Sequence, residues 1–308
     1  MYLTVRHPVR FKGVGLHSGQ PVRIKVAPAP RGHGIAFLRT DIGAETGLVE
    51  ARYDAVCDTR LCTRIGNAHG ATIGTIEHLM AALAGSGISD ALVEIDGPEV
   101  PIMDGSARAF VAGLARAGLH ELGGRRAAIR IDRPVEVVQG DKRARLVPAS
   151  TFGMRFAIDF ADPAIGRQSA AFALTGGAVI DKLADCRTFG MLSEVEALRR
   201  MNLARGGSLA NAIVIDQGRV LNPEGLRRPD EFVRHKMLDA VGDLALAGAP
   251  ILGRYEAERA GHEMTNLLLR ALFAAPGAWS WTELDPWQGL DLRAARHDTA
   301  ARAEPVAV

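Results

Sequence analysis

Glu231-Phe232-Val233-Arg234-His235-Lys236-Met237-Leu238-Asp239-Ala240-Val241-Gly242-Asp243 reads as a helix with two unlike faces. At about 100° per residue, His235, Lys236, Asp239 and Asp243 fall within an arc of roughly 100°, while Val233, Met237, Leu238, Val241, Leu244 and Ala245 take the other side. The apolar side is what a core requires. Residues four apart lie one above the other, so His235 and Asp239 are placed to close on a single metal ion. A salt bridge on a solvated stripe explains the same pair, and this segment alone does not choose between the two readings.

A second segment, Thr72-Ile73-Gly74-Thr75-Ile76-Glu77-His78-Leu79-Met80-Ala81-Ala82-Leu83, shifts the balance. With Thr75 as N-cap, Glu77 and His78 occupy the first turn of a helix that is otherwise Ala- and Leu-rich. Interior helices rarely spend two adjacent first-turn positions on ionisable groups with nothing polar after them. A third candidate, His262, stands between Gly261 and Glu263, after an alternating run from Ile251 to Glu258 that reads as a strand. Two imidazoles and one carboxylate form a catalytic rather than a structural zinc set, because three protein ligands leave the fourth position for water. His78, His235 and Asp239 are then the ligands. Zinc brings the pKa of its water to about 7, so the carboxylate of Glu77 suffices as the base, and the reaction class is hydrolysis of an amide or ester carbonyl. There is no His-Glu-x-x-His segment, so the common peptidase helix is absent.

Bulk properties set the outer limits. A chain of 308 residues suggests two domains of roughly 150 residues each. Its 47% hydrophobic and 23% charged residues are those of a soluble globular protein. The first eight residues, Met1-Tyr2-Leu3-Thr4-Val5-Arg6-His7-Pro8, lack the apolar run of a secretory signal, and no stretch has the uncharged length to cross a bilayer. Cys57, Cys62 and Cys186 form no Cys-x-x-Cys pair and read as buried small hydrophobes in a reducing, cytoplasmic setting. A net charge of +2, with Arg125-Arg126, Arg199-Arg200 and Arg227-Arg228 scattered, gives no nucleic-acid stripe. Gly13-Val14-Gly15-Leu16-His17-Ser18-Gly19 is not a dinucleotide fingerprint: its third glycine comes one residue late, and Pro21-Val22-Arg23-Ile24 looks like a strand where a helix should open.

The first half alternates strand-like runs at 22–26, 34–38 and 91–95 with helices from Thr75 and through 107–117. The second half shows strands at 128–131, 135–138, 144–147 and 156–160, a helix at about 193–200, a hairpin at 212–221, and then the His235 helix. Ala91-Leu92-Val93-Glu94-Ile95-Asp96-Gly97 and Ala212-Ile213-Val214-Ile215-Asp216-Gln217-Gly218 look alike and hint at duplicated α+β units. The Gly- and Arg-rich stretch 118–126 is the expected boundary.

Five separated stretches carry a resemblance: Val14-Gly15-Leu16-His17-Ser18-Gly19, Thr75-Ile76-Glu77-His78-Leu79, Val100-Pro101-Ile102-Met103-Asp104-Gly105-Ser106, Arg187-Thr188-Phe189-Gly190 and 232–243, with Gly261-His262 besides. In that order they resemble the UDP-3-O-acyl-N-acetylglucosamine deacetylase family, zinc amidases that commit bacteria to lipid A synthesis, over nearly the whole chain to about Leu290. The resemblance implies an α+β fold of two similar domains, 1–122 and 127–290, each a β-sheet layered against a pair of α-helices. Their helical layers face each other with the active site between them; beyond the resemblance, 291–308 is Ala-, Arg- and Pro-rich without periodicity and is expected to be a frayed tail.

Carried over by position, the resemblance implies one zinc on His78, His235 and Asp239, with Glu77 as general base. It makes His262 a general acid or stabilising cation oriented by Asp243, gives Thr188 an oxyanion hydrogen bond, and sets Lys236 against charge on the substrate. It places Phe160 under a uracil, Lys142 and Arg259 near the nucleotide end, and His17 and Phe189 beside the substrate. Leu192, Leu209 and Val214 then belong to an acyl-chain passage at about 191–214. By periodicity alone Phe160 and that stretch read equally as core. Arg60 and Leu209 depart from some relatives, which bears on passage shape rather than chemistry. The implied substrate is a UDP-linked, 3-O-acylated N-acetylglucosamine; a zinc amidase acting on a different N-acetylated nucleotide sugar is the alternative. The implied protein is a cytoplasmic monomer that binds no nucleic acid, has no stable membrane anchor and touches the inner membrane at most transiently.

Overall fold

The computed structural model describes residues 1–284; the expected tail at 291–308, and 285–290 with it, lie outside the described residues. The chain is an α+β protein built around two five-stranded sheets. The first holds β1 (Val9–Val14), β2 (Pro21–Pro28), β3 (Ile35–Arg39), β4 (Leu48–Glu50) and β5 (Ala91–Ile95), in the order β1-β2-β5-β3-β4. The second holds β6 (Val135–Gln139), β7 (Lys142–Val147), β8 (Gly153–Asp159), β9 (Arg167–Ala173) and β10 (Arg254–Glu258), in the order β6-β7-β10-β8-β9. Pairing directions match strand for strand: the fifth strand of each set runs antiparallel to the second and parallel to the third. Each sheet owns two helices, one before its last strand and one after it. These are α1 (Glu77–Gly85) and α2 (Arg108–Ala117) for the first, α3 (Glu231–Leu244) and α4 (His262–Ala274) for the second.

The duplication is therefore real in topology, but the equivalent of Ala91–Ile95 is Arg254–Glu258, not the hairpin at 212–221. That hairpin belongs to a separate three-stranded sheet of Phe189–Met191, Ile213–Asp216 and Arg219–Val220, which the second unit carries between β9 and α3. Similar residues misled because any half-buried strand before a Gly turn has that composition. Residues Leu119–Gly123, expected to be loop, form a strand paired with Tyr2–Val5, so the irregular backbone shrinks to 124–126. Cys57 is exposed rather than buried, while Cys62 and Cys186 are buried as expected.

Alternation sets the sheets. Val22, Ile24 and Val26 of β2 turn inward while Arg23 stays outside; Met154, Phe156 and Ile158 of β8 do the same around Arg155. The outer helices are amphipathic: α2 buries Phe110, Gly113, Leu114 and Ala117 against β1, with the Phe11 and Phe110 rings edge to face at 5.2 Å, and α4 buries Met264, Leu268, Leu269 and Leu272 against β6 and β7. The inner helices differ. All of α1 except Ala84 is buried, as is almost all of α3, and the two pack against each other across the two units.

Gly242 makes that contact close. A Cβ there would lie 2.0 Å from the carbonyl oxygen of Glu77. Backbone cannot yield as a flexible side chain does, so Gly242→Ala is expected to push α1 and α3 apart. Overpacking of this kind costs about 1–3 kcal/mol. Chemical denaturation should show that loss together with reduced activity, since the displaced residue is Glu77 itself; unchanged stability would mean the helices have room to spare.

Candidate active site

Where α1 begins, α3 crosses it one turn before its end, and this junction gathers the ionisable groups. Thr75 does not cap α1: its φ is +56° and its hydroxyl donates to Glu99 Oε1 at 3.0 Å, while Ile76 precedes the first helical residue. Glu77 and His78 still fall in the first turn. His78, His235 and Asp239, one residue from α1 and two from α3, bring three potential ligand atoms within 4.8 Å of one another, all buried. Asp239 Oδ1 lies 3.4 Å from His78 Nε2 and 3.2 Å from His235 Nε2.

The donor chemistry fits a cation. Asp239 Oδ1 is buried without a hydrogen-bond partner, although a buried carboxylate oxygen should have one. Its other oxygen accepts from Lys236 Nζ at 2.7 Å. Burial alone would raise the Asp239 pKa, yet His235 and Lys236 hold the carboxyl well below its ordinary range, so it is anionic. Burial pushes His235 down to about 3, leaving a neutral ring with a lone pair to give. Its Nδ1 sits 3.1 Å from the carbonyl oxygen of Cys186, which fixes the ring and turns Nε2 to the centre.

Beside the cluster stand two groups with complementary roles. Glu77 is buried, which raises its pKa against the opposing pull of His262 and His78; its Oε2 accepts from the Thr63 N–H at 3.0 Å. His262 opens α4 and places Nδ1 2.9 Å from Asp243 Oδ2. Burial would lower its pKa, but Asp243 and Glu77 carry it up to about 9, so the ring is an imidazolium at neutral pH. A carboxylate and a cationic imidazole therefore stand beside one cluster, each sustaining the other's charge. Cys62, close to Glu77, is pushed up to about 12 by burial and stays a thiol.

Residues 3–274 match the family model described as UDP-3-O-acyl N-acetylglycosamine deacetylase. The chain belongs to that family. It is 56% identical over 276 residues to the UDP-3-O-acyl-N-acetylglucosamine deacetylase of Phenylobacterium zucineum (strain HLK1), covering 90% of this chain and 94% of that protein. It is 48% identical over 278 residues to the proteins of the same name from Shewanella sp. (strain W3-18-1) and Shewanella baltica (strain OS155 / ATCC BAA-1091), covering 90% of each chain.

As a member of this deacetylase family, the chain places the remaining candidates as follows. Thr188 is held by its backbone, N–H to the Gly105 carbonyl at 2.8 Å and carbonyl to the Ile213 N–H at 2.8 Å, while its hydroxyl has no hydrogen bond among the described residues. Gly105 must be glycine: its φ is +83°, and a Cβ would sit 2.1 Å from the Asn211 carbonyl oxygen. Phe189 packs edge to face with Phe160 at 5.5 Å and lies 6.1 Å from the His235 ring, so an aromatic line runs from the exposed Phe160 to the cluster. Lys142 is exposed, and Arg259 is exposed but tied to Asp141 and Asp159, which any nucleotide phosphate would have to displace. Lys236 is likewise engaged, on Asp239. His17 is buried with both ring nitrogens unpartnered; burial, and secondarily Arg64, outweigh Glu99 and lower its pKa. Leu192 and Leu209 are partly or largely exposed and Val214 buried, around the helix Leu192–Arg200, which buries no residue. An apolar cavity of about 380 Å³ lies elsewhere, at the far end of α1, between Met80, Leu83, Phe152 and Leu244.

Sequence reasoning missed the supports. Glu99 accepts from the His17 N–H at 2.8 Å and the Ser18 N–H at 2.9 Å, which holds the Gly15–Ser18 turn in place. Glu231, fully buried in the first turn of α3, takes hydrogen bonds from the Arg187 backbone and guanidinium at 3.0 Å, locking the segment that carries Thr188 to the helix that carries His235. Glu231→Ala takes from the Arg187 guanidinium its buried counter-charge and leaves it only the Gly225 carbonyl and the more exposed Glu224. An uncompensated buried charge costs about 3–5 kcal/mol. With Glu224 and the Gly225 carbonyl still in place, the loss measured by chemical denaturation should be smaller than that, and one below about 1 kcal/mol would assign the Glu231 pair no anchoring role.

Proposed function

We propose that this protein hydrolyses the 2-N-acetyl group of a UDP-linked, 3-O-acylated N-acetylglucosamine, releasing acetate and the free amine that lipid A synthesis requires. The observation that carries the reading is the junction of α1 and α3: a buried His78, His235 and Asp239 set with an orphaned carboxylate oxygen, flanked by Glu77 and His262. Family membership and the names of the relatives supply the substrate.

His78, His235 and Asp239 would hold one zinc ion, which when bound supplies Lewis acidity and acidifies water at the site. Glu77 accepts the proton of the attacking water, and the anionic oxygen left on the acetyl carbon is met by the Thr188 hydroxyl and the His262 cation. His262 then gives its proton to the departing amine nitrogen. Asp243 keeps Nδ1 of His262 occupied, so the other ring nitrogen delivers the proton. Lys236 holds Asp239 Oδ2 and so leaves Oδ1 for the ion. Phe160 would stack the uracil, with Phe189, His17, Lys142 and Arg259 around the ligand and Leu192, Leu209 and Val214 along the acyl chain. We divide the chain into units 1–122 and 127–290, and take it to be a cytoplasmic monomer. No helix among the described residues is long and apolar enough to cross a membrane.

Acetate release from the UDP-linked 3-O-acylated sugar tests the reading. Stoichiometric acetate and a free amine are expected, with activity lost when the 3-O-acyl chain is removed. Equal turnover without that chain would favour the zinc amidase acting on a different N-acetylated nucleotide sugar.

A further inference from the structure

Thr63 is 2% exposed, and all three of its polar groups are engaged with the two helices that carry the site. Its N–H donates to Glu77 Oε2 at 3.0 Å and its carbonyl accepts from the Ile76 N–H at 3.4 Å, so its main chain is tied to the start of α1. Its hydroxyl donates to Asp243 Oδ1 in α3. Among the described residues no other group hydrogen-bonds either the Glu77 carboxylate or Asp243 Oδ1, and the second oxygen of Asp243 belongs to His262. One residue therefore sets the base through its backbone and the orienter of the acid through its side chain, and it does so across the two units.

We propose that Thr63 is a positioning residue that keeps the proton acceptor Glu77 and the proton donor His262 in register, its hydroxyl acting through Asp243. The inference rests on the deacetylase reading above. Without the hydroxyl, Asp243 Oδ1 is a buried acceptor with no donor. The carboxylate is then free to turn, and the imidazole it orients turns with it. Substrate contacts are untouched, because the Thr63 hydroxyl meets only Asp243, the carboxylate that orients His262, so the loss falls on kcat and not on KM. A threonine that merely filled space would give a different result: valine has its shape, and serine lacks its methyl.

The test uses the zinc-loaded full chain and acetate release. Thr63→Val is expected to bind zinc as the wild type does, with KM within about twofold and kcat lowered roughly ten- to a hundredfold, part of the ~10²–10⁴ that acid-base groups contribute. Thr63→Ser, which restores the hydroxyl, should return kcat to within about threefold. In a double-mutant cycle, Thr63→Val added to Asp243→Ala should cost less than about a further twofold, because the hydroxyl acts through that carboxylate. If Thr63→Val does not fold, Thr63→Ala enters the same cycle. Wild-type kcat in the valine or alanine variant overturns the proposal, as does a loss that multiplies fully with that of Asp243→Ala, or serine failing where valine succeeds. Wild-type protein that releases no acetate would instead sink the reading of function on which the proposal stands.

Discussion

His235→Ala is expected to leave the purified protein without zinc, where the wild type should carry about one ion per chain. The expectation follows from how completely the fold has prepared His235. Burial holds the ring neutral, Cys186 fixes it by its carbonyl, and Asp239 Oδ1, lacking a hydrogen-bond partner, waits 3.2 Å from its Nε2. Removing a group that merely orients a ligand lowers metal affinity about 10- to 100-fold, and removing one of three ligands must exceed that. His78→Ala and Asp239→Ala should lose the ion equally. In Asp239→Ala the ammonium of Lys236 is also left without its partner, so the fold suffers as well as the site. Metal analysis of the three proteins after dialysis against a chelator checks this. Full zinc in both histidine variants would place the ion elsewhere, and the cluster would have to be read as a buried polar network.

The cluster of His78, His235 and Asp239 was legible because its signals are local. His235 and Asp239 share a helical face through their spacing, and Glu77-His78 is conspicuous in an apolar helix. What could not be read is what depends on approach between distant segments. Thr63 and Asp243 are 180 residues apart, and His17 meets Glu99 across 82; a buried threonine and a turn glutamate carry no periodicity that announces such partners. Gly242 looks like an ordinary helix weakness until Glu77 is seen against it. The paired topology of the two sheets was hinted at by the wrong segments, because strand composition reports burial and not position in a sheet. Thr75 was expected at an N-cap because threonine favours that place, but its hydroxyl is worth more on the buried Glu99.

Glu77→Gln separates chemistry from metal binding, and its expected result is a protein with its zinc intact and kcat lowered about 10²–10⁴-fold. The amide keeps the size of the carboxylate and can still accept from the Thr63 N–H, so geometry survives while the proton acceptor is lost. The pH profile carries the same argument with a sign. In the proposed mechanism Glu77 works deprotonated, and burial raises its pKa, so activity should climb through a pH above the ordinary glutamate range. The proposed role of His262 needs it protonated, and Asp243 and Glu77 raise its pKa against burial to about 9, so activity should fall on the alkaline side as that proton is lost. Asp243→Asn removes the larger of the two supporting charges, and the alkaline fall should then move to lower pH while the acid limb, set by Glu77, moves less. A profile that keeps its alkaline limb in Asp243→Asn would take His262 out of the proton-donating role. The Glu77→Gln loss would still stand, because that residue's part depends on its own carboxylate and on the main chain of Thr63 alone.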